Sequence, residues 1–300
     1  MLSLITGANG FIGSHLTHFL VEQGEQVRVL VRPQSDVRSL HGLPVEFAYG
    51  DLRDANSLPP VLNGVQRVYH VAADYRLWAR SPQEIYESNV TGTRNLLAAT
   101  RQAGIDRVLY TSSVAAVVPP RPRTLPDENT HLQLKDMIGH YKRSKFLAEQ
   151  EALEAARQGQ PVVIVNPTTP VGPGDWKPTP TGRIILDFLN GQMPAYVDTG
   201  LNFVAVEDVA KGHWLAAERG QIGARYILGD RNLTLKQLLE ILSALSGRPM
   251  PRLRLPHVDP FLASLADSLV ARLLERPPRI PLEGVRMARH KMFVDSSKES

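Results

Sequence analysis

The sequence predicts an α/β fold, a doubly wound parallel sheet with a smaller, mostly helical C-terminal domain. Three observations carry that expectation. Short β-branched runs alternate with helical stretches through the first 166 residues, the pattern of a parallel sheet covered by helices on both faces. A glycine-rich turn, Gly7-Ala-Asn-Gly10-Phe-Ile-Gly13, joins the first run to the first helical stretch. From Pro167 to Pro180 the chain becomes rich in Pro, Thr and Gly, which reads as an irregular loop leaving the sheet.

The strand candidates are Leu2–Thr6, Val27–Val31, Val45–Tyr49, Val68–Ala72, Val108–Thr111 and Val162–Asn166. They are nearly continuous apolar runs, as strands buried on both faces require. Helices are expected at Phe11–Glu22, Glu84–Ala103 and Lys135–Arg157. In the second half, helical stretches fall at Arg183–Leu189, Glu207–Glu218, Leu235–Leu245 and Pro260–Leu274. Strand-like pieces at Phe203–Val206 and Tyr226–Leu228 are expected to return to the first domain. The resulting division gives residues 1–166 and about 201–228 to a nucleotide-binding domain. Residues of about 167–200 and 229–300 form a substrate-binding domain.

The bulk composition, 43% hydrophobic and 21% charged, is that of an ordinary globular protein. No cysteine occurs, which excludes a disulfide framework and a thiolate metal site. A strand begins almost at Met1, leaving no room for a cleaved leader, and no run of about 18 apolar residues occurs. A cytoplasmic location without a membrane span is the expectation. The net charge of +4 is spread along the chain, so nucleic acid is not an expected partner, and a basic balance suits an anionic small molecule. The densest cluster, Arg286, Arg289, His290 and Lys291, reads as a solvated helix face.

The glycine turn is the most informative local feature. Following the first strand and opening a helix, it lets a pyrophosphate approach the backbone, where amide groups and the helix dipole receive the anion. Gly7, Asn9, Gly10, Phe11, Ile12 and Gly13 are thus expected around a dinucleotide in a Rossmann-type fold. At the end of the second strand, an acidic residue would hold both ribose hydroxyls of NAD. Arg32 stands there instead and suits the 2′-phosphate of NADP; Asp36, slightly further on, keeps NAD open as the alternative. Asp51-Leu52, ending the third strand, suits the adenine edge, or Asp51 caps the next helix.

Tyr141-Lys-Arg-Ser-Lys145 lies in a segment with helical periodicity, so its phenol and terminal ammonium share a face. A carbonyl that gains or loses a proton needs an acid tuned toward working pH, and a neighbouring cation favours the phenolate. Thr111-Ser112-Ser113 ends the fifth strand, at the sheet edge where doubly wound folds bind ligands. A hydroxyl there can hydrogen-bond a substrate oxygen; Ser113 is the candidate, with Ser112 read as a strand-end residue.

Together these residues resemble the extended short-chain dehydrogenases/reductases, the NAD-dependent epimerase/dehydratase superfamily. Gly7-x-x-Gly10-x-x-Gly13, Asp51-Leu52, His70-Val71-Ala72-Ala73, Asn89-Val-Thr-Gly-Thr-Arg-Asn95, Thr111-Ser-Ser113 and Tyr141-x-x-x-Lys145 stand in that family's order. Asn166-Pro167-Thr168-Thr169 and Val204-x-x-x-Asp208-Val-Ala210 extend the match over nearly the whole chain. The resemblance implies catalytic roles for Ser113, Tyr141 and Lys145, with Asn89 supporting the site and Lys145 also holding the nicotinamide ribose. It implies cofactor contacts at Val71, Ala72, Ala73, Thr111, Asn166, Pro167, Thr168 and Thr169. Relatives of this kind are often dimers through helices corresponding to Glu84–Ala103 and Lys135–Arg157.

Within the family, Val114-Ala115 after Ser113 and Val117-Val118-Pro119 beyond it look like carbonyl reductases such as dihydroflavonol 4-reductase. Sugar dehydratases carry an Asp-Glu pair near that point, and epimerases often a Tyr-Gly. Asp74-Tyr75-Arg76-Leu77-Trp78, Met137-Ile138-Gly139-His140 and Lys177-Pro-Thr-Pro-Thr-Gly-Arg183 are similar to bacterial proteins labelled hopanoid-associated sugar epimerases. That subgroup implies a lipid-linked or ribose-derived substrate, and a small-molecule partner, hydrophobic or lipid-linked, is the expectation. Relatives continue past Asp295-Ser-Ser-Lys298 with another helix, so part of the substrate domain is expected beyond Ser300.

Other features read as structural. His15 and His18 share a helix face without a third ligand, so no metal is expected. Phe261, Leu262, Leu265, Leu269, Leu273 and Leu274 form an apolar stripe that serves as core or lid. Tyr75, Trp78 and Trp176 follow strand ends and either wall a substrate pocket or serve packing; Asp74, Ser113 and Arg183 are the further substrate candidates. The functional expectation is an NADP-dependent oxidoreductase acting on a carbonyl or secondary alcohol. The alternatives are a sugar epimerase with retained NAD(P) and a non-catalytic nucleotide sensor.

Overall fold

A computed structural model describes residues 1–119, 124–273 and 282–297. The elements are β1 (Leu2–Thr6), α1 (Phe11–Glu22), β2 (Gln26–Val31), β3 (Val45–Tyr49), β4 (Arg67–His70), α2 (Gln83–Tyr86) and α3 (Gly92–Gln102). Next come β5 (Arg107–Thr111), α4 (Gly139–Arg157), β6 (Val162–Pro167), β7 (Thr169–Val171), α5 (Pro180–Leu189) and β8 (Ala195–Val197). The chain continues through β9 (Gly200–Ala205), α6 (Val206–Arg219), β10 (Arg225–Leu228), β11 (Arg231–Thr234) and α7 (Leu235–Ser246). It closes with β12 (Leu253–Leu255), α8 (Val258–Leu273) and α9 (Leu282–Met287).

Seven strands form one parallel sheet in the order β10-β6-β5-β4-β1-β2-β3. The winding reverses between β1 and β4, which opens a crevice at the carboxyl edge. Alternation along each strand feeds two cores. Leu4, Val68, Val108 and Ile164 pack with Leu96, Ala148 and Ala152 on one face. Ile5, Tyr69, Leu109 and Val163 pack with Leu16, Leu20, Val209 and Ala216 on the other. The expected burial on both faces fails at β3: Glu46, Phe47 and Tyr49 are exposed because β3 is the edge strand.

Four expectations need correction. The Pro167–Pro180 stretch contains β7, and β9 joins β7 and β11 in a separate three-stranded sheet rather than the large one. Only β10 rejoins the large sheet, although α6, directly after β9, packs against α1. The helix expected over Glu84–Ala103 is interrupted by a π-type turn at Glu87–Thr91. The helix expected from Lys135 begins at Gly139, whose φ of +84° separates it from a short 3-10 turn at Leu134–Asp136.

In the C-terminal part, Phe188, Phe203, Leu235, Leu238 and Leu239 make a separate core, and β12 pairs with β8. Of the stripe on α8, Leu274 and the side chains of Leu262, Leu269 and Leu273 lie outside the described residues, and Leu265 is exposed. The basic cluster is less free than a solvated face: Arg289 stacks over the Phe261 ring at 4.8 Å, and Lys291 lies 3.7 Å from Asp198. Lys298 lies outside the described residues. Among them, no helix is long and apolar enough to cross a membrane.

Candidate active site

The glycine turn forms a cradle that side chains would destroy. Gly7 has φ +72°, and a Cβ there would meet the backbone N and Cα of Ala72 at 2.7 Å. A Cβ at Gly13 would collide with the Gly7 carbonyl oxygen. Gly10 begins α1 without a side-chain cap, and its amide donates to Gly7 O at 2.9 Å. The first-turn amides of α1 therefore face open backbone, the arrangement that suits a pyrophosphate. His15 and His18 each bond a carbonyl oxygen, of Pro173 and Ser39.

Asn9 adds a link that the sequence does not announce. Its amide donates to Asp36 O at 3.0 Å, and its own carbonyl accepts from Ser39 Oγ at 3.4 Å. The loop after β2 is thus tied to the glycine turn. In that loop the Asp36 carboxylate is held bidentately by Arg38, which pulls its pKa down to about 2. Asp51 is similarly engaged by the backbone and guanidinium of Arg53, which lowers its pKa, with Arg32 contributing through space. It caps no helix; Asp54 caps the short turn that follows. Arg32 is exposed; its carbonyl accepts from Ser35 N, and its guanidinium makes no hydrogen bond among the described residues.

Across the sheet, Ser113 stands two residues beyond β5, capping the short 3-10 turn at Val114–Ala116, and Tyr141 sits in the first turn of α4. Ser113 Oγ accepts from Ala115 N at 3.1 Å. Burial raises the Tyr141 pKa above its ordinary 10, and the nearby Ser113 hydroxyl acts in the opposite direction. The two hydroxyls lie near each other without bonding one another, which leaves both for a shared substrate oxygen. Lys145 is 2% exposed and donates to Thr111 O at 2.7 Å and Tyr110 Oη at 3.1 Å. Burial lowers its pKa to about 7, opposed by Glu149. Lys145 is thus engaged with β5 in this geometry, and the phenol lies above its ordinary value rather than below it.

Behind these groups runs a buried hydrogen-bond chain. The Ala72 amide donates to Thr6 Oγ1, and Thr6 Oγ1 lies 2.8 Å from His70 Nδ1. His70 Nε2 is 2.9 Å from Thr93 Oγ1, which donates to Asn89 O at 2.6 Å. Because Thr93 spends its proton on Asn89, His70 must donate at Nε2 and accept at Nδ1, the neutral tautomer. The π-type turn presents Asn89 to this chain. Its side chain brackets the backbone of Asp74 and donates to Ser144 Oγ at 2.8 Å, fastening that loop to α4.

Of the remaining candidates, Val71 and Ala72 line the floor beside Gly7, with Ala73 exposed just beyond. Ser112 Oγ is buried with no partner among the described residues. Asn166 bonds Ser113 O, Pro167 ends β6, Thr168 is tied to Leu228 O on β10, and Thr169 starts β7. Tyr75 Oη donates to Lys177 O at 3.3 Å, joining the loops that carry Trp78 and Trp176. Asp74 is bound by Arg76, and Arg183 is exposed on α5. Sequence reasoning passed over Tyr110, Thr93, Ser144, Glu149 and Arg225. For Glu149 a signal existed, a carboxylate one helical turn after Lys145 and flanked by Ala148 and Ala152 on the same buried face.

Lys142, beside Tyr141, is 7% exposed, and its amine reaches Met292 Sδ at 3.5 Å. Burial lowers its pKa to about 8 from 10.5. The unfolded chain binds the extra proton between those values, so the cost to folding is complete below pH 8 and gone above 10.5. Lys142→Met is expected to raise stability by about 3 kcal/mol at pH 7, with the gain fading toward pH 10.5. Urea midpoints at several pH values measure this, and an unchanged midpoint at pH 7 refutes it.

Residues 3–229 match the model of the NAD dependent epimerase/dehydratase family. The chain belongs to that family. It is 48% identical over 298 residues to a Synechocystis sp. protein provisionally named dihydroflavonol 4-reductase, covering 98% of this chain and 87% of the relative. It is 39% identical over 300 residues to sterol demethylase protein B of Methylococcus capsulatus, covering 99% and 91%. The solved structure of gox2253 superposes with a TM-score of 0.87 at 46% identity, covering 99% of this chain and 90% of the other. Cinnamoyl-CoA reductases and a nucleoside-diphosphate-sugar epimerase are among the further matches. As a member of the NAD dependent epimerase/dehydratase family, the chain is an enzyme with a nicotinamide-nucleotide fold.

Proposed function

We propose that this enzyme is an NADP-dependent reductase of a carbonyl group on an apolar substrate. The observation that carries the reading is the placement of Ser113, two residues beyond the carboxyl end of β5, near the Tyr141 phenol, with Lys145 bonded to the last carbonyl of that strand. Ser113 Oγ–H holds the substrate oxygen, Tyr141 delivers the proton to it, and Lys145 keeps the phenol's surroundings positive. A bound nicotinamide supplies the hydride. The buried Val114-Ala115-Ala116 turn after Ser113 brings no acid for a dehydration step, and the names of the sequence relatives favour reduction. Exposed aromatic side chains at Tyr75 and Trp176, on loops joined by the Tyr75–Lys177 bond, suit an apolar substrate body.

NADP is preferred because Asp36, the residue that would hold ribose hydroxyls, is already bound by Arg38, while Arg32 is free to take a phosphate. Arg32→Ala is expected to weaken NADPH binding roughly tenfold to a hundredfold and to leave NADH binding unchanged. Titration of nicotinamide fluorescence reads both; equal losses for the two nucleotides refute the assignment. The reaction itself is tested by mixing purified enzyme and NADPH with cyclic ketones of increasing size. Stoichiometric NADPH oxidation supports the proposal. Nucleotide that stays bound, with sugar-nucleotide interconversion and no net oxidation, identifies an epimerase instead.

A further inference from the structure

Ser113 is held from behind by charges that none of the proposed chemistry uses. Asn166, fully buried on β6, donates one amide proton to Ser113 O at 3.0 Å and the other to Glu149 Oε2 at 2.7 Å. Glu149, 1% exposed, pairs through Oε1 with Arg225 Nη1 at 3.3 Å. Arg225 Nη2 in turn donates to the carbonyls of Glu128 and Thr130, and Glu128 Oε1 accepts from Ile227 N at 3.1 Å. The chain of contacts therefore joins α4, β6, β10 and the 128–130 segment to Ser113, just beyond β5.

Such a cluster is a poor way to gain stability. Taking Glu149 and Arg225 out of water costs several kcal/mol per ion, which their attraction repays only when the geometry is good. What it does supply is direction. Both protons of the Asn166 amide are committed, so its plane is fixed, and with it the carbonyl of Ser113. The Ser113 side chain is fixed at its other end by Ala115 N. Glu149 lies four residues after Lys145 on α4, so the helix that carries Tyr141 and Lys145 also carries the anchor for Ser113.

We propose that Asn166 and Glu149 are positioning residues that hold Ser113 in register with Tyr141, with Arg225 locking Glu149 in place. Neither touches the reacting atoms; they act through the Ser113 backbone. The inference rests on the reading of Ser113 as the hydroxyl that binds the substrate oxygen. A misplacement of about 1 Å at such a group costs on the order of a hundredfold in rate.

A double-mutant cycle with Ser113→Ala tests it, using NADPH oxidation with the best ketone of the series above. Asn166→Ala is expected to lower kcat tenfold to a hundredfold and to have no further effect in the Ser113→Ala background. Glu149→Gln, which keeps the shape and an acceptor for Asn166 but drops the charge, is expected to show the same non-additivity at a smaller loss. It serves as the variant of record if Asn166→Ala does not fold. Independently of activity, amide exchange at Ala115 is expected to speed up in both variants. If Ser113→Ala lowers turnover and the Asn166 or Glu149 effect persists undiminished beside it, the positioning role is overturned while the Ser113 reading stands. If Ser113→Ala leaves turnover unchanged, the reading of Ser113 fails first and the proposal falls with it.

Discussion

Tyr141→Phe is expected to lower turnover by roughly three orders of magnitude while NADPH affinity changes by less than about threefold. The substitution removes one hydroxyl and keeps the ring. In the proposed mechanism the phenol carries the proton that neutralises the developing oxyanion, since Lys145 donates to Thr111 O and Tyr110 Oη and Ser113 keeps its proton at any working pH. The glycine cradle and Arg32 lie on the other side of the crevice, so binding of the nucleotide does not depend on the phenol. The pH profile adds a direction. Because burial raises the Tyr141 pKa, the acid form persists through neutral pH, and reduction is expected to hold its rate until the phenol ionises at alkaline pH. Single-turnover assays with NADPH across pH measure both effects. Turnover within tenfold of wild type in the Phe variant removes Tyr141 from the mechanism.

A comparable effect on stability is expected in acid. His70 and His213 are buried and neutral, with pKa values lowered by burial from 6.5 to about 3 and about 4; Lys145 adds to the shift at His70 and a bond to Val209 O opposes it at His213. Each is fixed in one tautomer. His213 donates at Nδ1 to Val209 O and meets Thr111 Oγ1 at Nε2, while His70 accepts from Thr6. Below pH 6.5 the unfolded chain takes up protons that the folded chain refuses. The stabilisation is therefore intact above 6.5 and drains away as the pH falls toward 4 and 3. By pH 4 the loss is on the order of 6 kcal/mol, comparable with the whole stability of a typical domain. Denaturant midpoints between pH 7 and 4 measure it, and His213→Gln is expected to flatten part of the slope. A midpoint that stays level across that range contradicts the assignment of neutral, buried rings.

Much of this architecture was legible because its determinants are local. The β1 to β6 strands and the glycine turn declare themselves through apolar runs and a backbone that tolerates no Cβ. The elements that escaped notice depend on partners far along the chain. Thr169–Val171 has no strand-like pattern of its own and becomes β7 only because β9 offers an edge. The turn at Glu87–Thr91 looks helical in sequence, and its extra residue is paid back by the Asn89 and Thr93 contacts it makes. In the site, Ser113, Tyr141 and Lys145 were visible as residue types at known spacing. The Asn9 tether, the His70 chain and the Arg225 lock were not, since each joins residues whose separation in sequence carries no period.

The placement of β10 at the end of the large sheet governs when the site can exist during synthesis. Cradle and reactive groups are all translated by residue 166, yet Arg225 lies in the last strand of that sheet, beside β6. Until that strand has left the ribosome and docked, Glu149 has no Arg225 opposite it, and Ser113 lacks its fully locked backing. The nascent chain can assemble a nucleotide cradle early, but completion of the reactive centre waits for the strand that arrives some sixty residues later.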